Sequence, residues 1–239
     1  QATPAGFATL GLDEAQSKAL IGKSVELARK AREAYLAENP QAGTLLVAGS
    51  VGPYGAYLAD GSEYRGDYAL SNEALQAFHR PRVEALLDAG ADLLACETLP
   101  NFAEIRALAE LLTAYPRARA WFSFTLRDSA HLSDGTPLRD VVAFLAQYPQ
   151  VVALGINCIA LENTTAALQH LHGLTALPLV VYPNSGEQYD AVSKTWHHHG
   201  DHCAQLADYL PQWQAAGARL IGGCCRTTPK DIAALKARS

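Results

Sequence analysis

Three cysteines stand where they could hold one metal ion. Cys158 directly follows the apolar run 151–157, and Cys224 and Cys225 directly follow the apolar run 218–223. Three thiolates suit Zn²⁺, which favours sulfur in tetrahedral coordination, and three protein ligands leave a fourth position open, as catalytic zinc sites require. The alternatives without metal chemistry are a small buried side chain at Cys158 and an incidental or disulfide-bonded adjacent pair.

Two glycines bear on whether the adjacent cysteines can face one ion. Neighbouring residues of an extended strand point to opposite sides, so the pair can serve one centre only if the backbone bends. Gly222 and Gly223 immediately precede the pair and can adopt backbone angles that are closed to other residues. We therefore expect the bend at these glycines.

The composition limits the class of protein and its compartment. The chain has 239 residues and a net charge of −5 without any basic block, which argues against nucleic acid or an anionic membrane as a partner. No apolar run approaches the roughly 20 residues of a membrane helix, and no signal peptide is recognisable, so we expect a cytoplasmic protein. Five cysteines, an odd number, argue against a disulfide framework, and Cys96 and Cys203 are expected to pack as buried side chains.

Apolar runs of strand length alternate with helical patterns along the chain. Asp13 followed by Gln16, and Asn101 followed by Glu104, have the spacing of a capping box at a helix start. The runs are rich in Leu, Val and Ala and alternate little, as expected of strands covered on both faces. The six runs are 44–49, 91–97, 119–124, 151–157, 177–183 and 218–223.

This alternation predicts a parallel α/β sheet, either doubly wound or closed as a (β/α)8 barrel. The carboxyl ends of parallel strands share one edge, so Cys158 and the adjacent pair can meet there. A barrel needs eight strands, and the sequence opens in a loop and a helix, so about one and a half units would lie outside it. No linker or repeat marks a boundary, and residues 1–239 are predicted to form one domain.

Five segments of the sequence carry motifs of a known enzyme family. They are GINC at 155–158, GGCCRTTP at 222–229, ACETLP at 95–100, AGSVGPYGAYLADGSEYRGDY at 48–68 and VYPNSGEQYDAVSKTW at 181–196. The first three resemble the motifs of zinc-dependent homocysteine S-methyltransferases. The two longer strings are similar to the branch that uses S-methylmethionine as the methyl donor, and the resemblance covers essentially the whole sequence.

The resemblance implies a (β/α)8 TIM barrel that transfers a methyl group from S-methylmethionine to the thiol of homocysteine, giving methionine; S-adenosylmethionine is a second donor to consider. It implies that Cys158, Cys224 and Cys225 bind Zn²⁺ and that Glu97 binds the amino group of homocysteine. The six apolar runs then correspond to the third through eighth barrel strands. Family members begin with a strand ending in an Asp-Gly motif and a second strand, which we expect to lie outside this sequence.

Further residues are candidates for binding the substrates. Tyr54, Tyr57, Tyr64 and Tyr68 follow the first strand, and aromatic faces attract a cation such as a sulfonium by roughly 0.5–2 kcal/mol each. Tyr54 is our candidate among them, although tyrosines also commonly pack such loops. Asn157 precedes the first cysteine and is expected to hold the site by hydrogen bonds or to fill the open zinc position, with a simple turn residue as the alternative.

Two other functions stay open at this point. One is the same acceptor chemistry with a different donor, such as betaine. The other is a non-catalytic zinc or redox protein, in which Cys224 and Cys225 form a dithiol sensor that cycles to a disulfide. The long loops argue against the sensor, because it needs no elaborate substrate face. The histidines at 197–199 and 202 are expected in a solvated loop and not in a metal site.

Overall fold

Strands and helices alternate in the computed structural model, which describes residues 2–185, 187–190, 193, 195–197 and 205–238. The strands are β1 (Ala48–Val51), β2 (Leu93–Leu99), β3 (Ala120–Phe124), β4 (Leu126–Asp128), β5 (His131–Leu132), β6 (Val151–Asn157), β7 (Leu179–Tyr182), β8 (Gln188–Asp190), β9 (Thr195–His197) and β10 (Ala218–Ile221). The helices are α1 (Pro4–Ala8), α2 (Glu14–Glu38), α3 (Tyr54–Leu58), α4 (Ser62–Arg65), α5 (Asn72–Asp88), α6 (Phe102–Leu112), α7 (Leu138–Leu145), α8 (Leu161–His172), α9 (Leu206–Ala215) and α10 (Pro229–Arg238).

Six strands form one parallel sheet in the order β1-β2-β3-β6-β7-β10. Each strand therefore lies beside the strand of the next unit along the chain, with helices in every connection. A doubly wound sheet would reverse its order at a switch point, whereas consecutive units of a (β/α)8 barrel do not. The predicted barrel fold is confirmed, with six consecutive units present.

The six predicted strands are all found, and the first is displaced. The run 44–49 was expected to be a strand, but β1 begins at Ala48. Leu45 and Leu46 are exposed, so the apolar character of this run does not reflect burial in the sheet. Two short antiparallel pairs, β4 with β5 and β8 with β9, lie in the connections after β3 and β7 and were not predicted.

The predicted helix starts are found with one difference. Asp13 and Gln16 form the expected reciprocal capping box at α2. Asn101 caps α6 by accepting from the amide of Glu104 at 2.9 Å, but the Glu104 carboxylate does not bond back to Asn101 and points to the loop after β1 instead. No described helix combines the length and apolar character needed to cross a membrane.

Strands β6 and β7 approach closely at Gly155, in the middle of β6. A Cβ added there would overlap the carbonyl oxygen of Val180. The carboxyl ends of these two strands carry site residues, so this glycine fixes the spacing on which the site depends.

We predict that Gly155→Ala lowers the free energy of unfolding by about 3 kcal/mol, because the added methyl group forces β6 and β7 apart. Urea denaturation measures this. The matched control is Gly43→Ala, where the added Cβ meets nothing within 4 Å, and its effect should stay within about 1 kcal/mol. Equal effects of the two substitutions would contradict the packing argument.

Candidate metal and substrate site

Three cysteine sulfurs converge at the carboxyl edge of the sheet, as the strand pattern predicted. The Sγ of Cys158 lies 3.3 Å from that of Cys224 and 3.5 Å from that of Cys225, and all three lie within 4.8 Å of one another. Sulfur ligands on a tetrahedral Zn²⁺, with Zn–S bonds near 2.3 Å, are about 3.8 Å apart. The spacing and the all-sulfur donor set therefore fit a metal ion that favours thiolates.

The end of β7 holds the two cysteine-bearing segments together through backbone hydrogen bonds. The amide of Cys158 donates to the carbonyl of Tyr182 at 3.1 Å, and the amide of Cys224 donates to the carbonyl of Pro183 at 2.8 Å. The amide of Ser185, two residues after Pro183, donates to the carbonyl of Cys225 at 3.1 Å. The segment with Cys158 and the segment with the adjacent cysteines are therefore both hydrogen-bonded to the end of β7 and the residues that follow it.

The turn at the adjacent cysteines is not made by left-handed glycines. The positive φ angles lie at Cys158 (56°) and Arg226 (64°), and Gly222 and Gly223 have none. Gly223 instead provides space, because a Cβ there would come within 2.5 Å of Oγ1 of Thr227. That hydroxyl donates to the carbonyl of Cys224 at 2.7 Å and closes the turn.

The three thiols shift one another's pKa values through their mutual hydrogen bonds. Hydrogen bonds from Cys158 and Cys224 lower the pKa of Cys225 to about 3, whereas its bond with Cys224 is the main reason that the pKa of Cys158 is raised. The hydroxyl of Tyr64 lies 3.5 Å from the Cys158 sulfur, and burial raises the pKa of Tyr64. Tyr64 therefore keeps its proton and can donate to a Cys158 thiolate.

Glu97 lies near the carboxyl end of β2, on the same edge, and is held at both carboxyl oxygens. The hydroxyl of Ser50 donates to Oε1 at 2.5 Å, and the hydroxyl of Tyr182 lies 2.9 Å from Oε2. Tyr182 in turn contacts Ser123 at 2.6 Å and accepts from the indole of Trp121 at 2.9 Å. The sequence reasoning that found Glu97 missed these partners, although Ser50 and Tyr182 also stand near strand ends.

Asn157 is buried and its side-chain amide is bonded within the protein. Its Oδ1 accepts from the amide of Thr98 at 2.8 Å and from the hydroxyl of Ser123 at 2.8 Å, and its Nδ2 donates to Oγ1 of Thr98 at 2.7 Å. Thr98 has a φ of 62°, which is costly for a β-branched residue. This arrangement favours the hydrogen-bonding role among the roles considered for Asn157.

A cavity of about 400 Å³ opens beside Cys158, and Tyr64, Ile159, Asn184 and Glu187 are among its lining residues. Its volume is that of a small-molecule site. Oδ1 of Asn184 is buried and has no hydrogen-bond partner among the described residues. A buried orphan oxygen beside three thiols is consistent with a site built for a bound group. Asn184 comes directly after the predicted strand 177–183. The reasoning that identified Cys158, which also follows a predicted strand, could therefore have identified Asn184.

The four loop tyrosines do not act together. The ring of Tyr54 packs against Phe78, with centroids 5.0 Å apart, and against Tyr57 and Tyr68, with centroids 5.6 Å apart in both cases. Tyr64 is the tyrosine of this group whose hydroxyl reaches the cysteine cluster.

A buried carboxylate fastens the tyrosine loop to the barrel, a feature that the sequence analysis did not anticipate. Glu104 accepts from the backbone amide of Tyr54 at 2.6 Å and from the hydroxyl of Tyr68, and it lies 2.7 Å from Nε2 of His79. Both Glu104 and His79 are fully buried. The sequence analysis assigned Glu104 to a capping box and therefore did not predict its contacts with this loop.

Arg82 completes the network behind Glu104. Its guanidinium donates to the carbonyl of Gly52 at 2.6 Å and to Nδ1 of His79 at 2.9 Å, which leaves the proton of a neutral His79 on Nε2, facing Glu104. Burial lowers the pKa of His79 and lowers that of Arg82 to about 10. Arg82 therefore stays charged at neutral pH and offsets the charge of Glu104.

The remaining predicted features are placed in part. Cys96 is fully buried in the core, as expected. His197 is exposed, as expected, but it is the last residue of strand β9 and does not lie in a loop. The histidines at 198, 199 and 202, and Cys203, lie outside the described residues.

Comparisons with known proteins agree with this geometry. Residues 1–239 match the sequence profile of the homocysteine S-methyltransferases. The homocysteine S-methyltransferase of Escherichia coli (strain K12) is 94% identical over 239 residues, which are all of this chain and 77% of that protein, and YbgG of Bacillus subtilis (strain 168), also a homocysteine S-methyltransferase, is 49% identical over 97% of this chain and 74% of that protein. The crystal structure of the metallated homocysteine methyltransferase MmuM from Escherichia coli superposes with a TM-score of 0.92 at 87% identity, over all of this chain and 77% of that one.

We predict that Glu104→Ala lowers the free energy of unfolding by about 3–5 kcal/mol, because it leaves Arg82 buried without its carboxylate and frees the Tyr54 amide. Urea denaturation gives the value. Glu110→Ala, on the same helix with a partly exposed Arg106 partner, is the control and should cost less than about 1 kcal/mol. A similar small loss for both would show that the buried network is not needed for stability.

Proposed function

The chain belongs to the homocysteine S-methyltransferase family, and from that premise we propose that S-methylmethionine is its methyl donor, that Zn²⁺ is its metal, and that Cys158, Cys224 and Cys225 are the metal ligands. The observation that carries the proposal is the convergence of three thiols at one edge of the sheet, the edge on which the half-buried carboxyl group of Glu97 also lies. The metallated state of the MmuM structure supports a metal at this place.

The three cysteines fit zinc better than metals that prefer oxygen, since all three donors are soft sulfur atoms. Zinc bound there supplies a positive centre on which a substrate thiol loses its proton and is held as a thiolate. The protein contributes the spacing of the sulfurs, which the bonds to the end of β7 fix. The hydroxyl of Tyr64, 3.5 Å from the Cys158 sulfur, would donate to that sulfur and stabilise it once a metal holds it as a thiolate.

Glu97 is the proposed anchor for the ammonium group of homocysteine. Ser50 and Tyr182 hold its two oxygens, so that the carboxyl group has one orientation at the edge of the sheet. Asn157 supports the same edge from β6 by holding Thr98, the residue after Glu97. An ammonium group bound at Glu97 would place homocysteine on the edge of the sheet where the cysteines lie.

The reaction then needs no acid from the protein. The homocysteine sulfur donates an electron pair to a methyl carbon of the sulfonium donor, a carbon–sulfur bond forms, and the bond from that carbon to the sulfonium sulfur breaks. The leaving group is a neutral thioether, so no proton has to be supplied to it. With S-methylmethionine, donor and acceptor each become methionine.

The donor is a cation, and Tyr54 and the cavity beside Cys158 are the proposed elements for it. Aromatic rings attract a sulfonium through their negative faces. Tyr54 belongs to a packed aromatic group on α3 and α5. The cavity volume of about 400 Å³ accommodates an amino acid of this size.

Two alternatives are distinguished by direct measurements. Betaine as donor would replace S-methylmethionine in a competition assay. A dithiol sensor would oxidise reversibly without a metal and would show no methyl transfer.

We also propose a single barrel domain over residues 1–239. The cytoplasmic location expected from the sequence stays a prediction.

We predict about one zinc per chain in freshly reduced protein, identified by elemental analysis, together with methyl transfer from S-methylmethionine to homocysteine. Cys158→Ser, Cys224→Ser and Cys225→Ser should each lose both, because each removes a ligand. Cys96→Ala, which removes a core cysteine outside the cluster, should keep both. Full zinc content in any of the three serine variants would remove that cysteine from the ligand set.

We predict that Tyr54→Leu raises the donor KM by roughly 2- to 30-fold, the equivalent of one cation–π contact, whereas Tyr54→Phe keeps it. The homocysteine KM should stay unchanged, and steady-state kinetics separates the two values. Phe78→Leu is the control for packing, since Phe78 contacts the same ring. An effect of Phe78→Leu as large as that of Tyr54→Leu would reduce Tyr54 to a packing residue.

A further inference from the structure

A chain of three hydrogen-bond contacts connects Glu97 to Asn157 across four strands. Oε2 of Glu97 lies 2.9 Å from the hydroxyl of Tyr182, which lies 2.6 Å from the hydroxyl of Ser123, which lies 2.8 Å from Oδ1 of Asn157. Each contact has hydrogen-bond length and therefore needs one proton between its two oxygens.

The direction of the chain is fixed at the Asn157 end. Its Oδ1 is identified as oxygen because it accepts from the amide of Thr98, and its Nδ2 is identified because it donates to the Thr98 hydroxyl. An amide oxygen can only accept, so the contact with Ser123 needs the hydroxyl proton of Ser123. Ser123 has no second proton to give.

The remaining contacts then have one possible arrangement. Tyr182 must donate its own proton to Ser123, and the indole N–H of Trp121 already donates to the Tyr182 oxygen. Tyr182 therefore has no proton left for Glu97, and the proton between them has to be on Glu97. With an ionised Glu97, two hydroxyl protons would have to serve three contacts, and one pair of oxygens, at least half-buried, would face each other at hydrogen-bond distance without a proton.

We propose that Glu97 is a neutral carboxylic acid in the substrate-free protein, and that Tyr182 and Ser123 are positioning residues that hold it in this form. The consequence for catalysis rests on the proposed function: when the ammonium group of homocysteine binds, Glu97 becomes a carboxylate and its proton leaves to solvent. Binding of homocysteine at Glu97 thus releases one proton in addition to the proton of the thiol.

Burial is the largest influence on the pKa of Glu97, and it raises this pKa. Cys224 after β10 acts in the same direction, whereas the hydroxyl of Ser50 on β1, a hydrogen bond donated by Tyr182 on β7 and the charge of Arg82 on α5 act to lower it. Tyr182 on β7 faces the other carboxyl oxygen.

Ser123→Ala is the decisive substitution, because Ser123 does not touch Glu97. Without Ser123, the Tyr182 proton is free to turn to Glu97 and stabilises the carboxylate. The expected effect is a decrease of about one pH unit in the pKa of Glu97, the equivalent of one hydrogen bond. Ser123→Thr keeps a hydroxyl and should restore the behaviour of the unchanged protein.

Infrared difference spectroscopy of the metal-loaded protein tests the proposal without turnover. The spectrum of the unchanged protein minus that of Glu97→Gln should contain the C=O stretch of a protonated carboxyl group at neutral pH, and this band should weaken in Ser123→Ala. Ser17→Ala removes a buried serine hydroxyl far from the site and should keep the band. No such band in the unchanged protein would overturn the proposal, and an undiminished band in Ser123→Ala would overturn the roles of Tyr182 and Ser123.

Kinetics separates this proposal from the proposed function. The kcat/KM for homocysteine should rise with pH as Glu97 ionises, and Ser123→Ala should move that limb to lower pH, whereas a purely structural role would raise KM without moving it. An unmoved limb contradicts the proposal. If Glu97→Gln leaves the homocysteine KM unchanged, the anchoring role of Glu97 fails while the infrared result still decides its protonation. If Ser123→Ala does not fold, the Glu97→Gln spectrum decides alone.

Discussion

Backbone hydrogen bonds to the end of β7 are the constraint on which the site depends. They bring Cys158, from the end of β6, and the adjacent cysteines, from the end of β10, to one strand that lies between them. The parallel order of the sheet makes this possible, since it places all three strand ends on one edge. Gly155 keeps β6 and β7 close enough for the register to hold. The sulfur cluster is therefore a product of sheet geometry and not of a local loop.

The strand ends could be predicted from the sequence, and the side chains around them only in part. Apolar runs without alternation located the six strands, and the parallel sheet they imply brought Cys158 to the adjacent pair. Tyr182 was not predicted because it belongs to an apolar run whose pattern indicates only burial in the sheet. Asn184 was not predicted because the direction of a side chain beyond the last paired residue depends on the loop that follows. Glu104 was assigned to a capping box because it follows Asn101 by three residues. That spacing does not reveal whether the carboxylate bonds back to the helix start or turns to a buried network. The start of β1 was misplaced because exposed leucines have the same apolar character as buried ones.

Charge is distributed in the site so that both substrates complete it. The cysteine cluster concentrates negative charge once its thiols ionise, and the carboxyl group of Glu97 lies near the end of β2 on the same edge of the sheet. The proposed substrates, homocysteine with its ammonium group and a sulfonium donor, both carry positive charge that complements these groups. The buried Arg82 is held away from the cluster by Gly52 and His79, and it offsets Glu104 and not the thiols.

The turn that carries the adjacent cysteines has a thermodynamic consequence. Arg226 already has its left-handed angle, Thr227 already bonds the carbonyl of Cys224, and Thr228 is capped by Asp231 at the start of α10. None of these bonds involves a cysteine sulfur, so the chain itself bears much of the entropy cost of ordering this segment. A metal ion held by the two cysteines would then have less ordering of the chain to oppose its binding, and more of the strength of the sulfur bonds would contribute to its affinity.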